Sequence, residues 1–278
     1  MTPGERAEAL IEELCISSPE EVDVDAIAFD ANIEVSYESM SGCEASLVGF
    51  GDHAIATISP STSRGRERFS LAHEIGHWKL HRGRSFRCRA DEPDDNLLAN
   101  KDLEKQADEF AAHLLMPAPL FNPAVKAAGR PGFKQLGEIA SKFDTSLMAT
   151  SLRLANVNTL PVIVACYDAS GLKWHVMARD VPRRWWLKRE LDEDSFAYDL
   201  VFQGKPCTHL GKQSADAWFE NSDADKYEVY EQCVPSGDKA LVLLYLADVE
   251  MMYAKFDADV GNRRYNEHGS YVPRRNNR

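Results

Sequence analysis

His73, Glu74 and His77 stand in the order H-E-x-x-H within Phe69-Ser70-Leu71-Ala72-His73-Glu74-Ile75-Gly76-His77-Trp78. Apolar residues recur around them at helical spacing. On a helix, two histidines four residues apart project from one face, one turn apart. Two imidazole nitrogens so placed can fill two corners of a zinc tetrahedron. Glu74 falls on the adjacent part of the helix, where a carboxylate can take the proton of a water held at the metal instead of binding the metal. A catalytic zinc usually has three protein ligands and one open position, so another element must bring a His, Asp or Glu.

The best candidate for that third ligand is Glu104 in Glu104-Lys105-Gln106-Ala107-Asp108, 27 residues beyond His77. Glu104, Ala107, Ala111 and Leu114 fall on one stripe, so a helix there would bury the face that carries Glu104. A buried carboxylate needs a cation partner, and a metal supplies one. Asp108, one turn further along, can accept the outer N–H of a ligand histidine and so fix its tautomer. The competing reading is a surface helix with solvated His and Glu. It is weakened by Leu71, Ile75 and Trp78, which surround the motif with apolar residues. Borderline His and carboxylate donors suit zinc, and manganese, iron or cobalt can occupy the same set.

A longer pattern carries a resemblance. Arg66-x-Arg68-Phe69-Ser70-Leu71-Ala72-His73-Glu74-Ile75-Gly76-His77 is followed by Leu80-His81 and then by Glu104-Lys105-Gln106-Ala107-Asp108-Glu109-Phe110-Ala111-Ala112-His113-Leu114-Leu115-Met116-Pro117. Two separated motifs in this order resemble the ImmA/IrrE family of metallopeptidases, over about residues 5–155. The resemblance implies a zincin-like core, with His73, His77 and Glu104 as ligands and Glu74 as general base. It implies a protein substrate, a helix-turn-helix transcriptional repressor whose cleavage releases stress or mobile-element genes. It also implies, for the radiation-response branch, a GAF-like sensor domain at the C-terminus.

The elements that must hold this chemistry are legible in outline. Residues 5–16 place Ala7, Leu10, Ile11 and Leu14 at helical spacing, and Ser18-Pro19-Glu20-Glu21 reads as the start of a second helix that carries Val24, Ile27 and Ala28 inward. Strand alternation follows over 33–37, then 45–50 and 54–58 flank a turn at Gly51-Asp52-His53. The strand 54–58 is a candidate edge for pairing with an extended substrate. A helix from about residue 68 carries the histidines, 80–100 reads as a polar excursion, and a second helix over 101–116 stops at Pro117. Residues 133–143 and 146–155 have the rhythm of a helix-turn-helix. From Leu160 two hairpins are expected, around Asp168-Ala169-Ser170-Gly171 and Pro235-Ser236-Gly237-Asp238.

The expected architecture is α+β. A zincin-like metallopeptidase domain spans 1–130, a helix-turn-helix-like segment 131–158, and a C-terminal α+β regulatory or recognition domain 159–260, for which an α/β, GAF-like fold is the form the resemblance implies. The tail over 261–278 has five arginines against one glutamate, a net of +4, so the rest of the chain carries −16 of the total −12. A short basic tail after an acidic body is expected to be disordered.

The acidic body argues against a broad nucleic-acid surface, because phosphate binding needs clustered Lys and Arg. No apolar run approaches the ~18 residues that span a bilayer, and Met1–Glu5 shows no basic region leading into an apolar run. The six cysteines form no C-x-x-C pair, so a reducing cytoplasm is the expected compartment. Cys43 and Cys88 flank the histidine motif, where a thiolate could fill the open metal position, although ordinary core or loop cysteines are the simpler reading. His81 is expected at a helix end, His113 away from the site, and Trp185-Trp186 as either a stacking surface or a buried pair. Two other function classes stand beside the peptidase: a DNA-binding regulator with a structural or sensory zinc, and a non-catalytic antitoxin-like partner. A small-molecule or metal signal at the C-terminal domain fits the first of the three readings.

Overall fold

The computed structural model describes residues 1–41, 43–61, 63–82, 86–89 and 97–253. The chain divides into two units between Thr159 and Leu160. The expected disordered tail over 261–278 lies outside the described residues.

In the first unit, α1 (Pro3–Glu13) starts at a capping box formed by Thr2 and Glu5 and buries Ala7, Leu10 and Ile11. Ser18-Pro19 opens only a short 3-10 turn, because the Glu21 carboxylate folds back onto the N–H groups of Ser17 and Ser18. The second helix, α2 (Val24–Asp30), starts instead at Asp23, whose side chain accepts from the N–H groups of Asp25 and Ala26. Val24, Ile27 and Ala28 do turn inward. The strands β1 (Ile33–Tyr37), β2 (Cys43–Phe50) and β3 (His53–Ile58) precede α3 (Arg64–Leu80), which is followed by β4 (Phe86–Arg89) and α4 (Leu97–Leu115).

The sheet order is β1-β3-β2-β4. This overturns the reading of 54–58 as an edge. β3 is parallel to β1 on one side and antiparallel to β2 on the other, so its ladder groups are already used. Among the described residues the edges are β1 and β4. The polar stretch 80–100 is also more than an excursion, since it contains β4 and the first residues of α4. Beyond Pro117, α5 (Ala118–Ala128) continues the helical region, with Pro119 in its first turn where no N–H is needed. The pair α6 (Phe133–Phe143) and α7 (Leu147–Asn156) turns at Asp144, which adopts a left-handed conformation.

Several contacts fix α3. Ala45, Leu47, Ala54, Ala56 and Ile58 line the buried face of the sheet, and the small residues among them let a helix approach closely. Gly49 lies against the Trp78 ring, where a Cβ would come within 2.9 Å. Trp78 Nε1 donates to the Ala31 carbonyl at 2.8 Å. At the other end of α3, Arg68 donates to the Val22 carbonyl at 3.0 Å and Arg64 pairs with Asp144 at 2.8 Å.

α4 is held near its C-terminal end and where it crosses α3. Near its C-terminal end His113 Nδ1 and Arg153 Nη2 both meet Glu8 Oε1, at 2.7 and 3.1 Å, and Arg153 Nε donates to the Met116 carbonyl at 2.8 Å. This places His113 away from the histidine motif, as expected. Where α4 crosses α3, Gly76 is the contact point. A Cβ there would lie 3.1 Å from Phe110 Cδ1 and 3.3 Å from Ala107 Cα.

The second unit is a five-stranded antiparallel sheet in the order β6-β5-β9-β8-β7. Its strands are β5 (Val162–Asp168), β6 (Gly171–Met177), β7 (Gly211–Ser214), β8 (Glu228–Ser236) and β9 (Lys239–Leu246), with α8 (Phe196–Gln203) between β6 and β7 and α9 (Val249–Tyr253) after β9. Every pairing is antiparallel, so this unit is α+β, in keeping with the domain reading, and not of the α/β type. β9 is buried over nearly its whole length and forms the core with β5. Trp185 is buried and donates to the Met251 carbonyl at 3.0 Å, and Arg184 stacks on it while pairing with Asp223 at 2.7 Å. The basic residue beside Trp185 therefore serves packing.

The contact at Gly76 generates a prediction. A Gly76→Val change should overpack the crossing of α3 and α4 and lower stability by about 1–3 kcal/mol, measured by denaturant unfolding. Unchanged stability would mean that the two helices have room to spare there.

Candidate metal centre

α3 presents His73 and His77 one turn apart, and α4 brings Glu104 to them. The donor atoms of these three side chains lie within 4.8 Å of one another. His73 Nε2 is 3.0 Å from His77 Nε2 and 3.1 Å from Glu104 Oε2, and His77 Nε2 is 3.4 Å from Glu104 Oε1. Ligand atoms about 2.0–2.1 Å from a tetrahedral zinc stand about 3.3 Å apart. The observed spacings bracket that value, so this donor set fits a small divalent ion.

The outer nitrogens explain why the inner ones converge. His73 Nδ1 meets Asp108 Oδ1 at 2.9 Å, where the carboxylate accepts the ring N–H. His77 Nδ1 meets His81 Nδ1 at 3.1 Å, and His81 Nε2 meets Gln106 Oε1 at 3.2 Å. Gln106 Oε1 can only accept, so His81 carries its proton on Nε2 and uses Nδ1 to accept from His77. Both rings of the H-E-x-x-H pair then keep their Nε2 lone pairs for the centre of the cluster. His81 does cap the C-terminal end of α3, as its position in the sequence indicates; its partnership with His77 is the further feature not expected. The i,i+4 spacing from His77 was the available signal.

Burial and charge act in the same sense. Burial, with His73 nearby, holds the His77 imidazole below its usual pKa, which favours the neutral ligand form. Burial pushes Glu104 up, but its hydrogen bonds with His73 and His77 outweigh this and leave the carboxyl well below the usual carboxylate range. The His77 side chain is fully buried, whereas the Glu104 side chain is 44% exposed, so the cluster opens toward solvent on its carboxylate side. Glu74 is fully buried, next to His73 in the chain. The side chains of Cys43 and Cys88 lie outside what the structure describes, and with them the idea of a thiolate at the metal position.

Residues 28–155 match the family of IrrE N-terminal-like domains. Two curated relatives are radiation response metalloproteases IrrE. The one from Deinococcus deserti is 31% identical over 125 residues, 41% of this chain and 40% of the relative. The one from Deinococcus radiodurans is 27% identical over 114 residues, 41% of this chain and 34% of the relative. The matched region thus spans well under half of either relative. A transcriptional regulator from Mycobacterium tuberculosis is similar in fold, with a TM-score of 0.58 at 14% identity, covering 97% of this chain and 82% of that one.

The hydrogen bonds behind the donors are testable. Asp108→Asn should weaken divalent-metal binding about 10–100-fold, measured by competition against a chromophoric chelator. Unchanged affinity would show that Asp108 does not orient His73.

Proposed function

We propose, from the match of residues 28–155 to the IrrE N-terminal-like family and to two IrrE metalloproteases, that this chain is a zinc-dependent endopeptidase that makes a site-specific cut in a protein. The observation that carries the reading is the convergence of His73 Nε2, His77 Nε2 and the Glu104 carboxylate, with Glu74 adjoining His73 in the motif. His73, His77 and Glu104 hold the metal, and Asp108 orients His73. Bound there, zinc supplies a Lewis acid and makes water acidic enough to react near neutral pH. Glu74 takes the proton of the attacking water on its carboxylate and returns it to the leaving amide nitrogen. Burial of the two imidazoles keeps competing solvent from one side, and the exposed rim at Glu104 admits the substrate.

The substrate we propose is a helix-turn-helix transcriptional repressor, as the family resemblance implies, and the outcome is derepression of stress or mobile-element genes. The second unit is proposed as a regulatory or recognition domain of GAF-like type, supported by its five-stranded antiparallel sheet with a helix inserted between β6 and β7. The helical segment that precedes it serves packing in this reading. Its Arg153 is buried against Glu8 and its Asp144 is engaged by Arg64, which speaks against a DNA-reading role. Among the described residues no helix is long and apolar enough to cross a membrane. A reducing cytoplasm is the proposed location, supported by the scattered cysteines.

The test is cleavage of purified helix-turn-helix repressors from the same organism, with zinc-loaded wild type and Glu74→Gln. Wild type should cut the repressor, and the variant should lose about 10²–10⁴-fold in rate at unchanged metal content. A Glu74→Gln protein that cuts at the wild-type rate with its metal bound would refute the role of Glu74.

A further inference from the structure

The second unit holds a chemical group that the peptidase reading does not use. Val229, Glu231 and Cys233 alternate along β8 and therefore share one face. That face receives α8 and the Trp218 side chain. Glu231 is fully buried and accepts from the Ala197 N–H at 2.8 Å and from Trp218 Nε1 at 3.0 Å. α8 ends at Gly204, which adopts the left-handed conformation, and the chain returns through 205–210 into β7. β7 is antiparallel to β8, with Gly211 opposite Glu231. Two residues before Gly211 is His209, and two residues after Glu231 is Cys233, so the run into β7 arrives beside Cys233.

Cys207 sits in that run. Its thiol donates to the His209 carbonyl at 3.3 Å, and the Cys233 thiol lies near enough to perturb it. Both cysteines are free thiols. Cys233 is completely buried, and Cys207 is only half-buried. An accessible thiol thus rests on a buried one within a single unit. Cys15 is exposed and Cys166 is buried, and neither has this pairing among the described contacts.

We propose that Cys207 and Cys233 form a peroxide-oxidisable dithiol, with Cys207 as the attacking thiol and Cys233 as the resolving thiol. The electrostatics divide the roles in the same way. The neighbouring Cys233 thiol lowers Cys207 below the usual thiol range, which favours it as the attacking group. The contact with Cys207, burial and the Glu231 carboxylate all push Cys233 up, so it stays a thiol.

The chemistry balances with hydrogen peroxide as oxidant. The Cys207 thiolate attacks one peroxide oxygen, the O–O bond breaks, and hydroxide leaves and is protonated to water. Cys207 is now a sulfenic acid. The Cys233 sulfur attacks the Cys207 sulfur, the S–O bond breaks, and the hydroxyl departs as a second water with the Cys233 proton. Two thiols and one peroxide give one disulfide and two waters, and two electrons pass from sulfur to oxygen. A small dithiol reductant reverses the bond by thiol–disulfide exchange. The bond would tie the 205–210 return to β8.

The test treats the reduced full chain with hydrogen peroxide, blocks the remaining thiols with iodoacetamide, and maps the peptides by mass spectrometry without reduction. We expect a cross-linked pair of peptides containing Cys207 and Cys233, lighter by two hydrogens and separated again by dithiothreitol. Cys233→Ser should leave Cys207 as a sulfenic acid that dimedone traps, and Cys207→Ser should abolish the cross-link. If Cys207 in the wild type stays open to iodoacetamide while Cys15 is oxidised, the proposal is wrong. It is equally wrong if Cys207 passes to sulfinic acid without joining Cys233. The map of the wild type alone decides between these results, whether or not the variants fold.

Discussion

Two buried imidazoles and a carboxylate aim their basic atoms at one point, and much of the first unit is arranged to hold them there. Lone pairs about 3 Å apart repel unless a proton or a metal ion lies between them. The tautomers are set from outside the cluster, by Asp108 on His73 and by His81 on His77. With the outer nitrogens carrying the protons, the inner ones are left as acceptors, and the remaining requirement is a cation. A proton satisfies it at low pH and a divalent ion does so when the ligands are deprotonated, which is the usual competition at a metal site.

The surrounding fold supplies the precision. A displacement of about 1 Å between α3 and α4 would take Glu104 out of reach of the imidazoles, so their crossing must be tight. Gly76 lets the two helices meet, Trp78 anchors α3 to the end of α2, and Arg64 and Arg68 fix its start. The shared carboxylate of Glu8 holds His113 on α4 and Arg153 on α7 together. Burying that arginine is tolerable because its charge is paired and its Nε–H has the Met116 carbonyl. These contacts lie far along α4 from Glu104, yet they determine where the helix can sit.

Much of this was legible in the sequence, and the failures have physical reasons. The i,i+4 histidines, the stripe through Glu104 and the placement of Asp108 one turn on are all helical periodicity, a local property. So are the inward residues of α1 and α2. The misreadings are tertiary. The alternation over 54–58 identifies a strand but not its neighbours, and β1 takes the place beside β3 through a parallel pairing that no local pattern encodes. β4 is four residues within a charged stretch, and only its pairing with β2 makes it a strand. α5 hides behind prolines: Pro119 falls in its first turn, but Pro123 lies inside the helix. Ser18-Pro19-Glu20-Glu21 has the residues of a helix start, but Glu21 spends its carboxylate on the preceding backbone and the helix begins at Asp23. His81 is at the helix end, as its position indicates, and its i,i+4 relation to His77 adds a side-chain partnership that the position alone did not convey.

The central claim is that the three converging donors bind one metal ion. The direct measurement is anomalous diffraction at the zinc absorption edge on crystals of zinc-loaded protein. The account predicts one strong peak, bonded to His73 Nε2, His77 Nε2 and a Glu104 carboxylate oxygen at about 2.0–2.2 Å. A peak bonded through either Nδ1, a zinc held elsewhere in the chain, or no peak at this cluster under saturating zinc would contradict it.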